Sequence, residues 1–430
     1  MGSVFMTKDR TIIIILTIIL LDLVIPSVGE TASSSAVISV VDQLLQSHRL
    51  KEAHVGIAVR SLREETSILN YNAQKYFCPA SNEKLLLTLA ALKDLGPDYR
   101  FKTEIYVKNG AVIRDGILYS DVLIKGYGDP TLDANAIGEV FTHVPEFKGI
   151  NKVAGSLLLD LSYFDDTFWG PGWCWDDDNY YIAAIAFKTT RFLLTSPRDP
   201  IAYLQVIGQQ IREGFSDRGI TFTGGVKAAR LSTGWELVAE ITSQPLQMLL
   251  QSMDYFSDNF IADQVLKSLG AHRYGQGTFQ NGAQAMEESL KGIIHSPIQI
   301  ADGSGLSRYN LLMPLQLVEL LSYAFAHPTL GLNDQGLDFV ELRNASSNGQ
   351  NLFIQALPPW GGGTLSTRGY ELNAYAKTGT LTNISALSGY LMTGTGDVLV
   401  FSILINDVPS VADARGFQDD LLVVLKERSR

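Results

Sequence analysis

Cysteine and histidine are both scarce in this sequence. Only Cys78 and Cys174 occur among 430 residues, so no disulfide framework holds the fold together, although two cysteines in an exported chain could either pair or remain unpaired. The six histidines show no pair at the spacing of metal ligands or of a serine–histidine triad. Gly-x-Ser-x-Gly and Walker sequences are also absent. These absences disfavour zinc peptidases, histidine-dependent serine hydrolases and nucleotide-binding enzymes.

Positive charge is also limited. Lys and Arg total 34 against 45 Asp and Glu, which gives a net charge of -11, and no basic run occurs anywhere in the chain. Because nucleic-acid binding needs clustered Lys and Arg, we expect no nucleic-acid partner. A hydrophobic content of 46% and the chain length are typical of a globular protein with two or more domains.

Long apolar runs are absent except for one near the N-terminus. Two basic residues precede the run 11–25, which carries a single charge at Asp22 and is followed by small residues. This order predicts a signal peptide over residues 1–29 and therefore export. An uncleaved anchor is the alternative, but so short a run with a charge is a poor membrane span, so we expect at most peripheral membrane attachment.

The remainder of the chain alternates between strand and helix patterns. Residues 101–240 form short alternating segments with Gly, Asp and Pro turns, which predicts an inserted, mostly β module with one helix at 201–212. Apolar residues at helical spacing predict further helices. The strands expected outside the module are 54–60, 66–70, 373–377, 386–392 and 399–405, and the helices are 83–95, 245–269, 284–293, 314–326 and 412–426. The fold class is therefore α+β, with an antiparallel sheet and flanking helices.

The first candidate motif is Ser81-Asn82-Glu83-Lys84 at a predicted helix start. Residues three apart on a helix project from one face, so the hydroxyl of Ser81 and the amine of Lys84 come within hydrogen-bond reach. A lysine with a lowered pKa can take the proton of such a serine and activate it as a nucleophile. By itself the same pattern is also that of a helix N-cap followed by a solvated lysine.

Two further polar motifs follow in the sequence. Ser257-Asp258-Asn259 interrupts two helical segments, and its simplest role is to cap a helix. Lys377-Thr378-Gly379-Thr380 ends a predicted strand, where the lysine could hold a carboxylate and the glycine could admit a substrate backbone beside the strand. An edge-strand lysine that opposes aggregation is the structural alternative for Lys377.

Together and in this order, the three motifs form the signature of class A β-lactamases and penicillin-binding proteins. More than 170 residues separate Lys84 from Ser257. In this spacing the chain resembles the D-Ala-D-Ala carboxypeptidase/endopeptidase family of low-molecular-mass class C penicillin-binding proteins, which carry large insertions at this point. Further stretches that resemble the family are 126–130, 172–177, 302–307 and 363–365.

The resemblance implies a domain organisation. Residues 30–99 and 244–430 would form a catalytic domain of the β-lactamase/DD-peptidase type, an antiparallel sheet flanked by helices. Residues 100–243 would form the large, mostly β inserted module.

The resemblance also assigns roles to individual residues. Ser81 would be acylated, with Lys84 as the acceptor of its proton, and Ser257 with Asn259 would relay protons and contact a substrate amide. The backbone N–H groups of Ser81 and Thr380 would form the oxyanion hole. The residues expected on the strand that holds the substrate carboxylate are Lys377, Thr378, Gly379 and Thr380.

Asp177 is the remaining candidate site residue. The resemblance implies that it touches the far end of the substrate, although a solvated loop carboxylate is an equally good interpretation. The following stretch, 183–193, departs from the family pattern, because Lys188 and Arg191 replace residues that are usually neutral. The loop 302–307 is rich in glycine, and we interpret it as a structural turn outside the chemistry.

The resemblance therefore implies a periplasmic, serine-type D-Ala-D-Ala carboxypeptidase, with endopeptidase activity on crosslinks left open. Its partners would be peptidoglycan peptide stems, with β-lactams as covalent inhibitors, and no metal or organic cofactor is expected. A β-lactamase of the same fold and a non-catalytic wall-binding homologue are the alternatives. The long insert disfavours the first, and retention of all three motifs disfavours the second.

Overall fold

The computed structural model describes residues 30–177, 179–192, 199–329, 340–341, 343–344 and 348–428. The predicted signal peptide, residues 1–29, lies outside the described residues. Within the described ranges, no helix combines the length and the apolar character that crossing a membrane requires.

The secondary structure confirms the mixed α+β prediction. The strands are β1 (His54–Ser61), β2 (Ser67–Tyr71), β3 (Lys102–Lys108), β4 (Val112–Arg114), β5 (Ile117–Tyr119), β6 (Val122–Gly126), β7 (Lys152–Val153), β8 (Leu157–Asp160), β9 (Thr221–Phe222), β10 (Val226–Ala228), β11 (Trp235–Thr242), β12 (Ala374–Leu381), β13 (Ile384–Met392) and β14 (Val398–Asn406). The α-helices are α1 (Glu30–Ser47), α2 (Glu83–Asp94), α3 (Ala134–His143), α4 (Pro200–Ser216), α5 (Leu246–Phe256), α6 (Asn259–Tyr274), α7 (Phe279–Leu290), α8 (Pro314–Ala326), α9 (Leu352–Ala356) and α10 (Val411–Arg428).

An antiparallel five-stranded sheet has the order β12-β13-β14-β1-β2. Its central strand β14 is buried along its whole length because helices cover both faces of the sheet. Side chains alternate between the faces of a strand. Leu399 and Phe401 accordingly join the core formed with α1 and α10, whereas Val400 and Leu404 join the core formed with the other helices. Strand β12 forms one edge of the sheet.

Helix α2 runs through the interior of the helical layer. Residues 83–92 are all buried, because leucine and alanine surround the helix and α6, α7, α5 and α8 pack against it. This burial includes the polar side chains of Glu83, Lys84 and Thr88. The turn at the start of α2 contacts the edge strand β12, so the first motif lies next to that strand.

Strands β3–β11 form the two other sheets, with the orders β10-β8-β6-β3-β11 and β4-β5-β7-β9. We propose that residues 100–243 are the inserted module and that 30–99 with 244–430 form the catalytic domain, because the five-stranded sheet joins β1 and β2 to β14, β13 and β12 and contains no strand from residues 100–243. Helix α3, inside the module, was missing from our sequence-based expectation. Asp133 caps it by accepting from the N–H of Asn135, and its ten residues give too short a periodic pattern to be recognised.

Helices α3 and α4 approach each other closely through two glycines. A Cβ on Gly138 would lie 2.4 Å from the backbone oxygen of Gly214, and a Cβ on Gly214 would lie 2.3 Å from the oxygen of Ala134. Because these contacts are with backbone, no side-chain rotation can relieve them.

We predict that Gly138→Ala lowers the free energy of unfolding by about 1–3 kcal/mol, because the helices must separate. Gly225→Ala is the matched control in the same module, since no atom lies within 4 Å of its added Cβ. The midpoints of thermal unfolding of both variants measure the effect. Equal midpoints for the two variants would contradict the close contact.

Candidate active site

Ser81 lies in a tight turn, Ala80–Asn82, that leads directly into α2. Ala80 has a φ of 48°, a left-handed conformation that is unusual for a residue with a Cβ. The turn is held by Gly305, where a Cβ would lie 1.9 Å from the oxygen of Ala80. The N-cap position of α2 is occupied by Asn82, whose side chain makes no capping hydrogen bond. The alternative in which Ser81 is the N-cap of this helix is therefore wrong.

The amine of Lys84 lies at the centre of a hydrogen-bond network. Its Nζ donates to Ser81 Oγ at 3.1 Å, to Asn259 Oδ1 at 2.8 Å, and to the backbone oxygen of Ser304. The Lys84 side chain is fully buried, and this burial lowers its pKa, although nearby acids, Asp263 foremost, partly oppose the change. A lysine with a lowered pKa next to a serine hydroxyl can accept the proton of that serine.

The second motif connects α5 to α6. Ser257 ends α5 with a φ of 58°, and the side chain of Asp258 accepts from the N–H of Ile261 at 3.1 Å to cap α6. Asp258 also forms an ion pair with Lys188 of the inserted module. The capping interpretation is thus correct for Asp258, whereas Ser257 and Asn259 contact the two lysines of the other motifs.

The third motif occupies the edge strand β12. Lys377 Nζ donates to Ser257 Oγ and to the oxygen of Thr378, both at 3.0 Å, and the side chain is fully buried. Burial lowers the pKa of Lys377, and the nearby Lys84 lowers it further. The alternative of a solvated edge lysine is therefore wrong. Asn82 ties this strand to the serine turn, because its Nδ2 donates to the oxygen of Lys377 at 3.0 Å.

The rest of β12 packs tightly against the serine turn. A Cβ on Gly379 would lie 2.8 Å from the oxygen of Pro79, so a side chain would push the strand away from the turn. Thr378 Oγ1 donates to Thr364 Oγ1 at 2.8 Å, and Arg415 donates to Thr380 Oγ1 at 3.1 Å. The structure thus brings the three predicted motifs together around one serine, while the individual roles assigned to their residues remain predictions.

Asp177 lies in the tryptophan-rich loop and is already engaged. Arg308 donates to both of its carboxylate oxygens, and the N–H of Cys174 donates to one of them at 2.9 Å. Its role at the far end of a substrate therefore remains a prediction that involves the Arg308 pair rather than an isolated carboxylate. Both cysteines, Cys78 and Cys174, are free thiols in the structure.

The loop 302–307, which we had placed outside the chemistry, supplies the third oxygen that binds Lys84. Asp302 organises this loop, because its buried carboxylate accepts from the N–H groups of Gly305 at 2.9 Å and Ser307 at 2.7 Å. It also accepts from Trp173 Nε1 at 2.7 Å. In the sequence, the aspartate among glycines was the feature that could have indicated the importance of this loop. The oxygen of Ser304 belongs to the backbone, so residue identity could not indicate its contact with Lys84.

Chemically, the arrangement combines the alcohol of Ser81, the amine of Lys84, which is able to take its proton, and a second buried amine, that of Lys377, on an edge strand. Such a set can activate a nucleophile and hold an anionic substrate group.

Comparison with known proteins agrees with this geometry. The sequence profile of the D-Ala-D-Ala carboxypeptidase 3 (S13) family matches residues 37–191 and 190–428. The D-alanyl-D-alanine carboxypeptidase of Actinomadura sp. strain R39 is 27% identical over 469 residues, covering 90% of this chain and 84% of that protein. D-alanyl-D-alanine carboxypeptidase DacB of Haemophilus influenzae is 25% identical over 435 residues, covering 82% of this chain and 85% of that protein.

A solved crystal structure has a similar fold. The crystal structure of penicillin binding protein 4 (dacB) from Haemophilus influenzae superposes with a TM-score of 0.73 and 24% identity. The superposition covers 90% of this chain and 99% of that one.

We predict that Asp302→Asn lowers the free energy of unfolding by about 3 kcal/mol, because an amide NH₂ would face N–H donors where a carboxylate oxygen now accepts. Asp176→Asn, at an exposed position in the neighbouring loop, is the control and should leave stability unchanged. Urea unfolding measures both. An Asp302→Asn protein as stable as the control would show that the loop does not depend on this carboxylate.

Proposed function

The chain belongs to the D-Ala-D-Ala carboxypeptidase 3 (S13) family, and we propose that it cleaves the bond between the two terminal D-alanines of peptidoglycan peptide stems through an acyl-enzyme on Ser81. The observation that carries this proposal is the 3.1 Å contact between the buried amine of Lys84 and the hydroxyl of Ser81. Peptidoglycan is the substrate class because both relatives described above are named D-alanyl-D-alanine carboxypeptidases.

Acylation would begin with attack of Ser81 Oγ on the carbonyl carbon of the penultimate D-alanine. Lys84 takes the serine proton, and the backbone N–H groups of Ser81 and Thr380 stabilise the oxyanion. Collapse of the tetrahedral intermediate breaks the C–N bond. The departing D-alanine amine takes the proton that Lys84 accepted, with the hydroxyl of Ser257 as a relay. Water then attacks the ester and gives a proton to Lys84, and Lys84 returns a proton to Ser81 as the stem is released.

Substrate binding in this proposal uses the edge strand β12. The Lys377 ammonium, with the hydroxyls of Thr378 and Thr380, holds the terminal carboxylate of the stem. Because Gly379 has no side chain, the strand lies close to the serine turn. The carboxylate site on the strand and the nucleophile are therefore close enough to act on the same substrate terminus. The same acyl transfer on a crosslinked stem would make the enzyme an endopeptidase as well.

β-Lactams carry a carboxylate and a strained amide in a similar arrangement to the stem terminus, so we propose that penicillins acylate Ser81. Because the substrate class lies outside the cytoplasm, and because residues 1–29 have the pattern of a signal peptide, we propose a periplasmic location with at most peripheral membrane contact.

Intact-mass analysis after incubation with benzylpenicillin tests the proposal. Wild-type protein should gain one adduct that persists for minutes, Ser81→Ala should gain none, and Lys84→Met should acylate about 10²–10⁴-fold more slowly, as expected when a general base is removed. Ser322→Ala, which removes a serine hydroxyl that bonds the backbone of α8, should behave like wild type.

Two results of this experiment would overturn the proposal. If wild-type protein gains no adduct, the chain is a non-catalytic wall-binding homologue. If the adduct clears within seconds, the chain is a β-lactamase of the same fold.

A further inference from the structure

Strand β12 directs its two threonines toward helix α10. Side chains alternate between the faces of a strand, and Ala374 and Ala376 pack in the core that α1 and α10 form with the sheet. By the same alternation Thr378 and Thr380 lie on the α10 face, whereas Gly379 lies against the serine turn. The hydroxyls proposed to hold the substrate carboxylate are therefore next to a helix that carries none of the three motifs.

Arg415 of α10 reaches one of these threonines. Its Nη2 donates to Thr380 Oγ1 at 3.1 Å, and both side chains are exposed. A hydroxyl oxygen that accepts from a guanidinium keeps its own proton, so Thr380 can still donate to a carboxylate placed beside it. The guanidinium can bind the same carboxylate, because it has five N–H donors and the threonine accepts only one of them.

The guanidinium of Arg415 is not paired with an acid of the protein. Within the described ranges it takes part in no ion pair, and Asp419, one turn further along α10, pairs instead with Arg368 at 2.7 Å. Arg368 also donates to the backbone oxygen of Arg415 at 3.1 Å. These contacts fix the backbone of α10 at this position and leave the guanidinium available to an anion from outside.

The cation of the third motif is placed differently from Arg415. Lys377 is fully buried and donates to Ser257 Oγ and to the oxygen of Thr378, both at 3.0 Å. Burial also lowers the pKa of Lys377 to about 7, whereas a guanidinium remains protonated throughout the range in which proteins are folded. A carboxylate that arrives from solvent therefore meets Arg415 and Thr380 at the exposed side of the site.

We propose that Arg415 is a specificity-determining residue that binds the substrate carboxylate together with Thr380. This inference rests on the proposed function, because it names a group that recognises the free end of the peptide stem. The ligands selected are those that carry a free carboxylate next to the scissile amide. A primary amide or an ester in place of that carboxylate has no charge, so it loses the interaction with the guanidinium.

Benzylpenicillin and its methyl ester are matched probes, because they share the reactive amide and differ in the charge of the carboxyl group. Intact-mass analysis measures the second-order rate constant for acylation of Ser81 by each probe. Arg415→Gln keeps a hydrogen-bond donor but removes the charge, so acylation by benzylpenicillin should be about 10-fold slower. Acylation by the methyl ester should proceed at the wild-type rate.

Two further variants serve as controls. Arg415→Lys keeps a positive charge on a long side chain and should recover most of the rate with benzylpenicillin. Lys426→Gln removes the same charge from the same helix, about three turns away, and should leave both rate constants unchanged. Lys426 donates to the backbone oxygen of Glu371 at 3.0 Å, away from the three motifs.

A peptide substrate adds a second measurement. For D-alanine release from an N-acyl-D-Ala-D-Ala peptide, Arg415→Gln should raise KM more than it lowers kcat. The reason is that the carboxylate is bound in the ground state as well as in the transition state.

The outcomes separate this inference from the proposed function. If Arg415→Gln slows acylation by both probes equally, the arginine supports the strand and does not bind the carboxylate, and the inference is wrong. An unchanged rate with benzylpenicillin would refute it too, and in both cases acylation of wild-type protein leaves the function intact. If neither probe acylates wild-type protein, the proposed function fails and the inference fails with it.

Discussion

The site depends on the burial of two lysine amines around one serine hydroxyl. Burial lowers the pKa of both amines, and the nearby Lys84 lowers the pKa of Lys377 further. This is the condition under which an amine can act as a base at ordinary pH, and it exists only while water is excluded. The hydrogen bonds of Lys84 to Asn259 and of Lys377 to Ser257 join the two amines through the second motif. The three motifs therefore form one electrostatic unit.

The fold maintains this exclusion of water through close backbone contacts. Helix α2 is surrounded by other helices, so the first motif lies at the N-terminal end of a buried helix. Gly305 and Gly379 allow the loop before α8 and the edge strand β12 to approach the turn at Ala80 more closely than any side chain would permit. The inserted module contributes the ion pair between Lys188 and Asp258, which joins it to the second motif.

Sequence reasoning reached the fold class, most element positions and the three motifs, because residue identity and periodicity carry these features. It could not predict that the backbone oxygen of Ser304 binds Lys84, or that one carboxylate oxygen of Asp254 in α5 is buried without a hydrogen-bond partner. Residue order shows neither the backbone geometry of a loop nor the burial of a helix end. The pairing of Asp177 with Arg308 was missed for the same reason, because the two residues lie 131 positions apart. Helix α3 was missed because its apolar pattern is too short.

Direct titration of the lysine side chains tests the central claim. With lysine labelled with ¹³C at Cε, NMR should show the resonances of Lys84 and Lys377 among those that titrate below the ordinary lysine pKa of about 10.4, and Lys84→Arg and Lys377→Arg should each remove one of them. In Lys84→Arg, the Lys377 resonance should still titrate below the ordinary value, because it remains buried beside a cation. If the resonances that these two substitutions remove titrate near the ordinary value in the wild-type protein, the two amines are not buried together, and the account of the site is wrong.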